Sequence, residues 1–288
     1  MDALKSFNAD FAWPLWDSEP IEGAFSVNSS DVGIDKAVVA SVARPWLFGY
    51  KSQKPNSKDK AVVICGGGGY IELMVGREGI QVARWFTKLG FNAFVLVHRF
   101  PNAQSSPQAP LDDARRALRI IEEKGFAGNG VGVCGLSSGG HLAAALVAEY
   151  PQTWTEPESE KGKAIPNLDF AIIGYGPIST NAVGRQIIPN KPALPPVEKQ
   201  ALYDALQPDV QLKSPAPPTF IVYSGNDPVV PVVNAYRLAE GVSKTGGSVE
   251  LHVFADAPHG FGVDTVGLPV SGWTGLCEAW LGQAGLLG

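Results

Sequence analysis

The centre of the sequence reads Val131-Gly132-Val133-Cys134-Gly135-Leu136-Ser137-Ser138-Gly139-Gly140-His141-Leu142, and this stretch indicates the fold. Its first four residues are typical of a buried strand, and the residues from Ser138 onward predict a helix. Between them is a Gly-x-Ser-x-Gly turn, in which glycine is favoured because the two backbones approach too closely for a Cβ. In this setting Ser137 is predicted to be a nucleophile; the alternative is a glycine-rich turn whose serine only caps the helix.

Segments of strand and helix character alternate from residue 61 to the C-terminus. Runs rich in β-branched residues predict strands, and apolar residues at three- and four-residue spacing predict helices. The predicted strands are residues 61–65, 91–98, 131–134, 170–175, 219–224 and 249–254, and the predicted helices are residues 78–89, 110–124, 138–150, 197–206, 232–242 and 272–281. This alternation predicts an α/β fold, with a mainly parallel central sheet and helices on both faces, in one domain over residues 1–288.

Two regions interrupt the alternation. Residues 1–60 contain Trp13, Trp16 and Trp46 among turn-forming residues, with a strand-like segment at 37–42. We interpret this region as antiparallel edge strands that lead into the sheet. Residues 176–218 form a proline-rich insertion around one helical pattern, and its length predicts a lid or a binding loop.

Composition excludes several classes of protein. With 45% hydrophobic and 18% charged residues, the chain can bury a full core and is not predicted to be disordered. Its 23 basic and 28 acidic residues give a net charge of −5. Because nucleic acid and anionic membrane surfaces attract basic proteins, neither is predicted as a partner.

The cysteines and the N-terminus bear on the cellular compartment. Cys65, Cys134 and Cys277 are widely spaced in apolar runs, so they predict free, buried thiols and no disulfide. The N-terminus lacks a basic segment followed by an apolar one, and no apolar run approaches the roughly 18 residues that span a bilayer. The chain is predicted to be cytoplasmic, and a chain whose export signal had been removed would have the same appearance.

A nucleophilic serine needs a base and an orienting acid. Of the four histidines, His259 is the candidate base, since it lies in a loop after the last predicted strand, whereas the settings of the other three suggest packing. Asp227 follows the strand at 219–224 and is the candidate acid, in preference to Asp256, which would share the loop of the histidine. The order Ser137, Asp227, His259 is that of the α/β-hydrolase architecture. A purely turn-forming Asp227 is the alternative.

The glycine run after the first predicted strand of the sheet suggests an oxyanion hole. The backbone N–H groups of Gly68, Gly69 and Ser138 are the candidate donors to the negative oxygen that forms during attack on a carbonyl. A phosphate-binding loop is the alternative, but the run lacks a Gly-Lys-Ser/Thr ending and a Gly-x-Gly-x-x-Gly pattern. Metal-binding histidine spacings are also missing from the sequence, so no metal and no cofactor are predicted.

Several of these motifs together resemble one family over about residues 60–285. The sequence is similar to the α/β-hydrolase esterases of the hormone-sensitive-lipase and acetyl-xylan-esterase-like group. The matching stretches are residues 61–65, Gly67-Gly68-Gly69-Tyr70, Glu78-Gly79, residues 110–118, residues 135–143, Pro217-Pro218, Asp227 with Val230-Pro231, and residues 259–262. It departs from the family pattern at Gly66, at Ser138, which replaces a usual alanine, at Ala257-Pro258 and in the insertion at 176–218.

The resemblance implies a serine carboxylic-ester hydrolase that acts on short-chain acyl or acetyl esters, with acetylated sugars as candidate substrates. Its partner would be a small-molecule ester. A peptidase or amidase on the same scaffold and a non-catalytic ligand-binding member are the alternatives. Tyr70, Ile187 and Ile188 are candidates for the substrate pocket, although ordinary core packing explains each of them as well. The sequence predicts no oligomeric state.

Overall fold

The fold is built on a central sheet of eight strands, in a computed structural model that describes residues 7–16, 22–28, 33–54, 60–188 and 190–287. In chain order the strands of the described residues are β1 (Phe11–Pro14), β2 (Phe25–Asn28), β3 (Val38–Val42), β4 (Trp46–Tyr50), β5 (Ala61–Cys65), β6 (Asn92–Val97), β7 (Val131–Leu136), β8 (Phe170–Gly174), β9 (Thr219–Ser224) and β10 (Val249–Phe254). The spatial order of the central sheet is β1-β4-β6-β5-β7-β8-β9-β10. The six strands from β5 onward are parallel.

The parallel strands follow from their apolar sequences. Strands β5, β7, β8 and β9 are buried at every position, as expected for strands covered on both faces. Each lies where the sequence predicted it, and the α/β fold with a mainly parallel sheet is confirmed.

The N-terminal region agrees with its prediction only in part. Strands β1 and β4, which carry Trp13 and Trp46, are antiparallel and extend one edge of the central sheet, as expected. Residues 37–42 contain the predicted strand, β3, and its pairing is antiparallel, but its predicted place in the central sheet is wrong, since it pairs with β2 in a separate two-stranded sheet. The alternation of apolar residues indicates a strand, but it does not indicate the strand's partner. Val39 of β3 also forms an isolated antiparallel bridge with Leu73, a residue that belongs to neither sheet.

Helices connect the parallel strands, and a further helix follows the last strand. They are α1 (Gln81–Leu89), α2 (Ala109–Glu123), α3 (Ser138–Leu146), α4 (Val197–Ala205), α5 (Val233–Lys244) and α6 (Trp273–Gln283), and a π-helical turn at Val75–Ile80 precedes α1. The helix predicted at 138–150 ends early, because the chain makes a bridge to Leu212 at Ala148. None of the helices in the described residues is long and apolar enough to cross a membrane.

The direction in which successive strands are added to the sheet reverses at β5. From β5 the chain moves to β6 on one side and then to β7 on the other, and right-handed crossovers therefore place α1 and α2 on opposite faces of the sheet. The contact of Trp85 in α1 with Trp273 in α6 puts those two helices on the same face. Ligands of open α/β sheets bind at such a reversal, beyond the carboxyl ends of the strands.

Candidate active site

Ser137 occupies the sharp turn between β7 and α3. Its φ of 53° and ψ of −127° are strained for a residue with a Cβ, a conformation typical of a nucleophile elbow. A Cβ at Gly135 would collide with the carbonyl oxygen of Gly139, and one at Gly139 would collide with that of Cys65. The two glycines are therefore required by the close packing of β7, α3 and β5.

Ser137, His259 and Asp227 form a continuous hydrogen-bonded chain. Ser137 Oγ lies 2.9 Å from His259 Nε2, and His259 Nδ1 lies 2.7 Å from Asp227 Oδ2. Since an ionised carboxylate only accepts, Nδ1 carries the proton, and Nε2 accepts from the Ser137 hydroxyl. These residues meet because each follows a parallel strand, β7, β9 or β10, at the same edge of the sheet.

Asp227 is held in its ionised form inside the protein. Its side chain is fully buried, and Oδ1 accepts the backbone N–H groups of Val229 at 2.8 Å and Val230 at 2.9 Å. Burial acts to raise the pKa of Asp227, but the hydrogen bonds from His259 and the two amides outweigh it and hold that pKa below its ordinary value of 3.8. A charged acceptor at this position fixes the tautomer of the imidazole.

The other candidates for these positions make different contacts. His98 is buried and bonds the carbonyl oxygen of the next residue at 2.7 Å, and His252 packs against an aromatic ring in the sheet. Asp256 Oδ1 accepts a hydrogen bond from Asn226 Nδ2 at 2.7 Å. Of the carboxylates weighed from the sequence, Asp227 is the one hydrogen-bonded to His259.

The glycine run after β5 lies against the start of α3. Gly69 has a φ of 65°, and its backbone N–H donates to Ser138 Oγ at 2.9 Å. The structure thus brings together the predicted oxyanion residues Gly69 and Ser138, with Gly68 next to them in the chain. The sequence assigned only a backbone role to Ser138; its hydroxyl contact was missed, although a serine in place of the usual alanine was the available signal.

Glu78 is a further polar residue at this site, and sequence reasoning gave it no role. Its side chain is buried, and Oε2 accepts the backbone N–H of Gly67 at 2.8 Å. Oε1 accepts the Tyr175 hydroxyl at 3.0 Å, which in turn accepts the Gly262 amide at 3.1 Å. Burial raises the pKa of Glu78. Its carboxylate joins the glycine run to the loop that carries His259.

The ring of Tyr70 packs inside the protein. Its hydroxyl donates to His141 Nδ1 at 2.8 Å, and His141 Nε2 donates to the carbonyl oxygen of Leu206 at 3.0 Å. Of the three residues predicted to line the substrate pocket, Tyr70 is 1% exposed, whereas Ile187 and Ile188 are 40% and 56% exposed.

The fold and the site define an α/β-hydrolase. A family model described as BD-FAE matches residues 49–242. The chain belongs to this BD-FAE family of esterase-like α/β-hydrolases.

Two curated relatives are similar to most of this chain, over less than half of their own length. The chain is 29% identical over 238 residues to endo-1,4-beta-xylanase B of Butyrivibrio fibrisolvens, a match that covers 80% of this chain and 36% of that protein. It is 26% identical over 226 residues to an acetylxylan esterase of Xylanibacter ruminicola, which covers 73% of this chain and 42% of that protein. The chain thus spans less than half the length of these relatives.

Solved structures match almost the whole chain. An acetyl ester-xyloside bifunctional hydrolase from Caldicellulosiruptor lactoaceticus is 27% identical, with a TM-score of 0.71, and the match covers 97% of this chain and 98% of that one. The carboxylesterase Cest-2923 from Lactobacillus plantarum WCFS1 is 18% identical, with a TM-score of 0.68 and coverage of 92% and 98%. At that identity the second likeness concerns the fold alone.

Proposed function

We propose that the protein is a serine carboxylic-ester hydrolase in which Ser137 is the nucleophile, His259 the base and Asp227 the orienting acid. The observation that carries this proposal is the hydrogen-bonded chain from Ser137 Oγ through the imidazole to the buried carboxylate. Family membership and the esterases among the similar proteins support the same reaction class.

The first half of the reaction acylates the serine. His259 Nε2 takes the hydroxyl proton as Ser137 Oγ attacks the ester carbonyl carbon, and the carbonyl oxygen becomes negative. The backbone N–H groups of Gly68, Gly69 and Ser138 stabilise that oxygen, with the Gly69 amide shared between it and the Ser138 hydroxyl. The intermediate then expels the alcohol, which receives its proton from the imidazolium.

The second half releases the acid. Water approaches the acyl-enzyme and gives a proton to His259 Nε2 as its oxygen attacks the acyl carbon. Collapse of this second intermediate returns the proton to Ser137 Oγ and frees the carboxylic acid. Throughout, Asp227 stabilises the imidazolium and keeps the imidazole in the tautomer that its Nδ1 contact requires.

The substrates proposed are short-chain acyl or acetyl esters, with acetylated sugars as candidates. The acetylxylan esterase and the acetyl ester-xyloside hydrolase among the similar proteins support this choice. We place residues 176–218 beside the site as a binding loop of the same domain, because Leu206 accepts from His141 of α3. The exposed Ile187 and Ile188 of this loop would contact the substrate at its outer side.

The test compares the wild type with Ser137→Ala on 4-nitrophenyl acetate. Turnover should fall by on the order of 10⁴-fold or more, as in other enzymes that lose the nucleophile of a triad. Full activity of this variant would refute the assignment of Ser137. A matched 4-nitroanilide separates the alternatives: hydrolysis of the anilide at a rate similar to that of the ester would favour an amidase.

A further inference from the structure

Helix α4 of the insertion is fixed over the glycine run. The ring of Tyr203 in α4 meets Tyr70 edge to face with centroids 5.7 Å apart, and it also contacts the ring of His141 at 4.9 Å. Leu206, just after α4, accepts from His141 Nε2 at 3.0 Å. One face of α4 is therefore held against the residue that directly follows Gly69.

Lys199 lies on the same face of α4. It precedes Tyr203 by four residues, a spacing that places two side chains one above the other on a helix. A Cβ built on Gly69 would lie 3.8 Å from Lys199 Nζ. The ammonium of this half-buried lysine thus lies beside the turn that carries the candidate oxyanion donors.

A second half-buried lysine lies on this side of the site. Lys191 Nζ donates to Asn181 Oδ1 at 2.5 Å, and the carbonyl oxygen of Asn181 accepts from Gln200 Nε2, next to Lys199, at 2.9 Å. Burial lowers the pKa of Lys191. Burial, and then the charge of Lys191, lower that of Lys199.

Lys199 and Lys191 carry charges of the same sign on this side of the site. Among the described residues, no ion pair joins either lysine to a carboxylate, and the charge of Lys191 repels that of Lys199. Glu72 approaches Gly68, but it is exposed to water. Two partly desolvated cations that repel each other are unfavourable, and an anion bound between them and the glycine run would offset that cost.

We propose that the site accepts esters whose acyl or alcohol part carries a carboxylate, with Lys199 as the residue that binds this carboxylate and Lys191 as its support. This inference rests on the proposed ester hydrolysis and adds the charge of the substrate to it. The net charge of −5 makes the local positive charge a feature of this site and not of the whole protein.

The experiment uses two matched pairs of esters. Mono-4-nitrophenyl glutarate against 4-nitrophenyl valerate places the carboxylate on the acyl side, and 4-acetoxybenzoate against 4-acetoxybenzamide places it on the alcohol side. For each pair the quantity measured is the ratio of kcat/KM for the anionic ester to that for the neutral ester. The pair in which the wild type favours the anion tells which part of the substrate faces Lys199.

Lys199→Met should lower that ratio by about fivefold to tenfold, mainly through the KM of the anionic ester, as expected for the loss of one partly screened charge contact. Lys199→Arg should restore most of it, and added salt should lower the ratio in the wild type. Lys213→Met, at a lysine of similar burial with no contact to the glycine run, is the matched control and should keep the wild-type ratio.

Equal ratios in the wild type and in Lys199→Met, for both pairs, would overturn the proposal. Hydrolysis of the neutral esters in that case would leave the proposed esterase intact. Failure of the wild type to hydrolyse any of the four esters would instead contradict the proposed function. Thermal unfolding of each variant, together with the charge-retaining arginine, separates a folding defect from the loss of a contact.

Discussion

Oε2 of the buried Glu78 accepts the backbone N–H of Gly67 at 2.8 Å, so a carboxylate inside the protein fixes the position of the glycine run at Gly67. Through its other oxygen the same side chain bonds Tyr175, whose ring lies 5.2 Å from that of His259. Glu78 thus contacts two parts of the site without belonging to the proposed triad. Its substitution should disturb both.

Glu78→Leu is expected to reduce stability and turnover together. It leaves the Gly67 amide and the Tyr175 hydroxyl buried without their partner, which costs about 1–3 kcal/mol for each unsatisfied group. Denaturant unfolding and kcat on 4-nitrophenyl acetate measure the two effects. Glu122→Leu, at an exposed position of α2, is the control; a Glu78→Leu variant as stable and active as this control would contradict the role given to Glu78.

The charge of Glu78 should also be visible in the pH dependence of stability. Burial raises the pKa of Glu78 above its ordinary 4.5, so the folded protein keeps this proton at pH values where the unfolded chain has lost it. The contribution of Glu78 to the free energy of unfolding therefore falls as pH rises from about 4.5 through the raised pKa. The difference in unfolding free energy between the wild type and Glu78→Gln should shrink over that range; a difference that grows with pH would have the wrong sign.

Asp227→Asn should abolish most activity while the neighbouring Asp256→Asn does not. The amide no longer stabilises the imidazolium and favours the wrong tautomer, which costs about 10⁴-fold in kcat in a comparable triad. Asp256 accepts a hydrogen bond from Asn226 at 2.7 Å, whereas His259 is hydrogen-bonded to Asp227. The Asp256→Asn variant should therefore keep turnover near that of the wild type. The reverse pattern would assign the acid to Asp256.

His141 should make the protein sensitive to acid. Burial lowers the pKa of His141 from 6.5 to about 4, so below pH 6.5 the unfolded chain takes up a proton that the folded protein does not. The stability present above pH 6.5 is then lost as pH falls toward 4, by about 3 kcal/mol at most. In His141→Gln the slope of unfolding free energy against pH should be shallower between pH 6.5 and 4. Equal slopes would contradict this.

The sequence predicted those parts of the fold that depend on local pattern. Apolar runs in the sequence predict strands β5, β7, β8 and β9, and the glycines predict the turn at Ser137, because both signals lie within a few residues of the chain. The residues of the proposed triad were selected by their positions after strands, which the topology of a parallel sheet brings to one edge.

The features that the sequence did not predict depend on contacts between residues that are far apart in the chain. Residues 37–42 had the pattern of a strand, but their pairing with β2 is set by packing between segments. Glu78 was placed at the start of a predicted helix, where a carboxylate normally faces water, and only the fold shows that Gly67 and Tyr175 surround it. The approach of Lys199 to Gly69 likewise depends on how the insertion folds back over the site.

Covalent labelling tests most directly whether Ser137 is an activated nucleophile. The wild type is treated with a fluorophosphonate, digested, and the modified residue is located by mass spectrometry. We predict a single adduct on Ser137, formed with loss of esterase activity and strongly slowed in His259→Gln. An unmodified Ser137 in protein that hydrolyses esters, or an adduct on another serine that accounts for the lost activity, would contradict the role of Ser137 as the nucleophile.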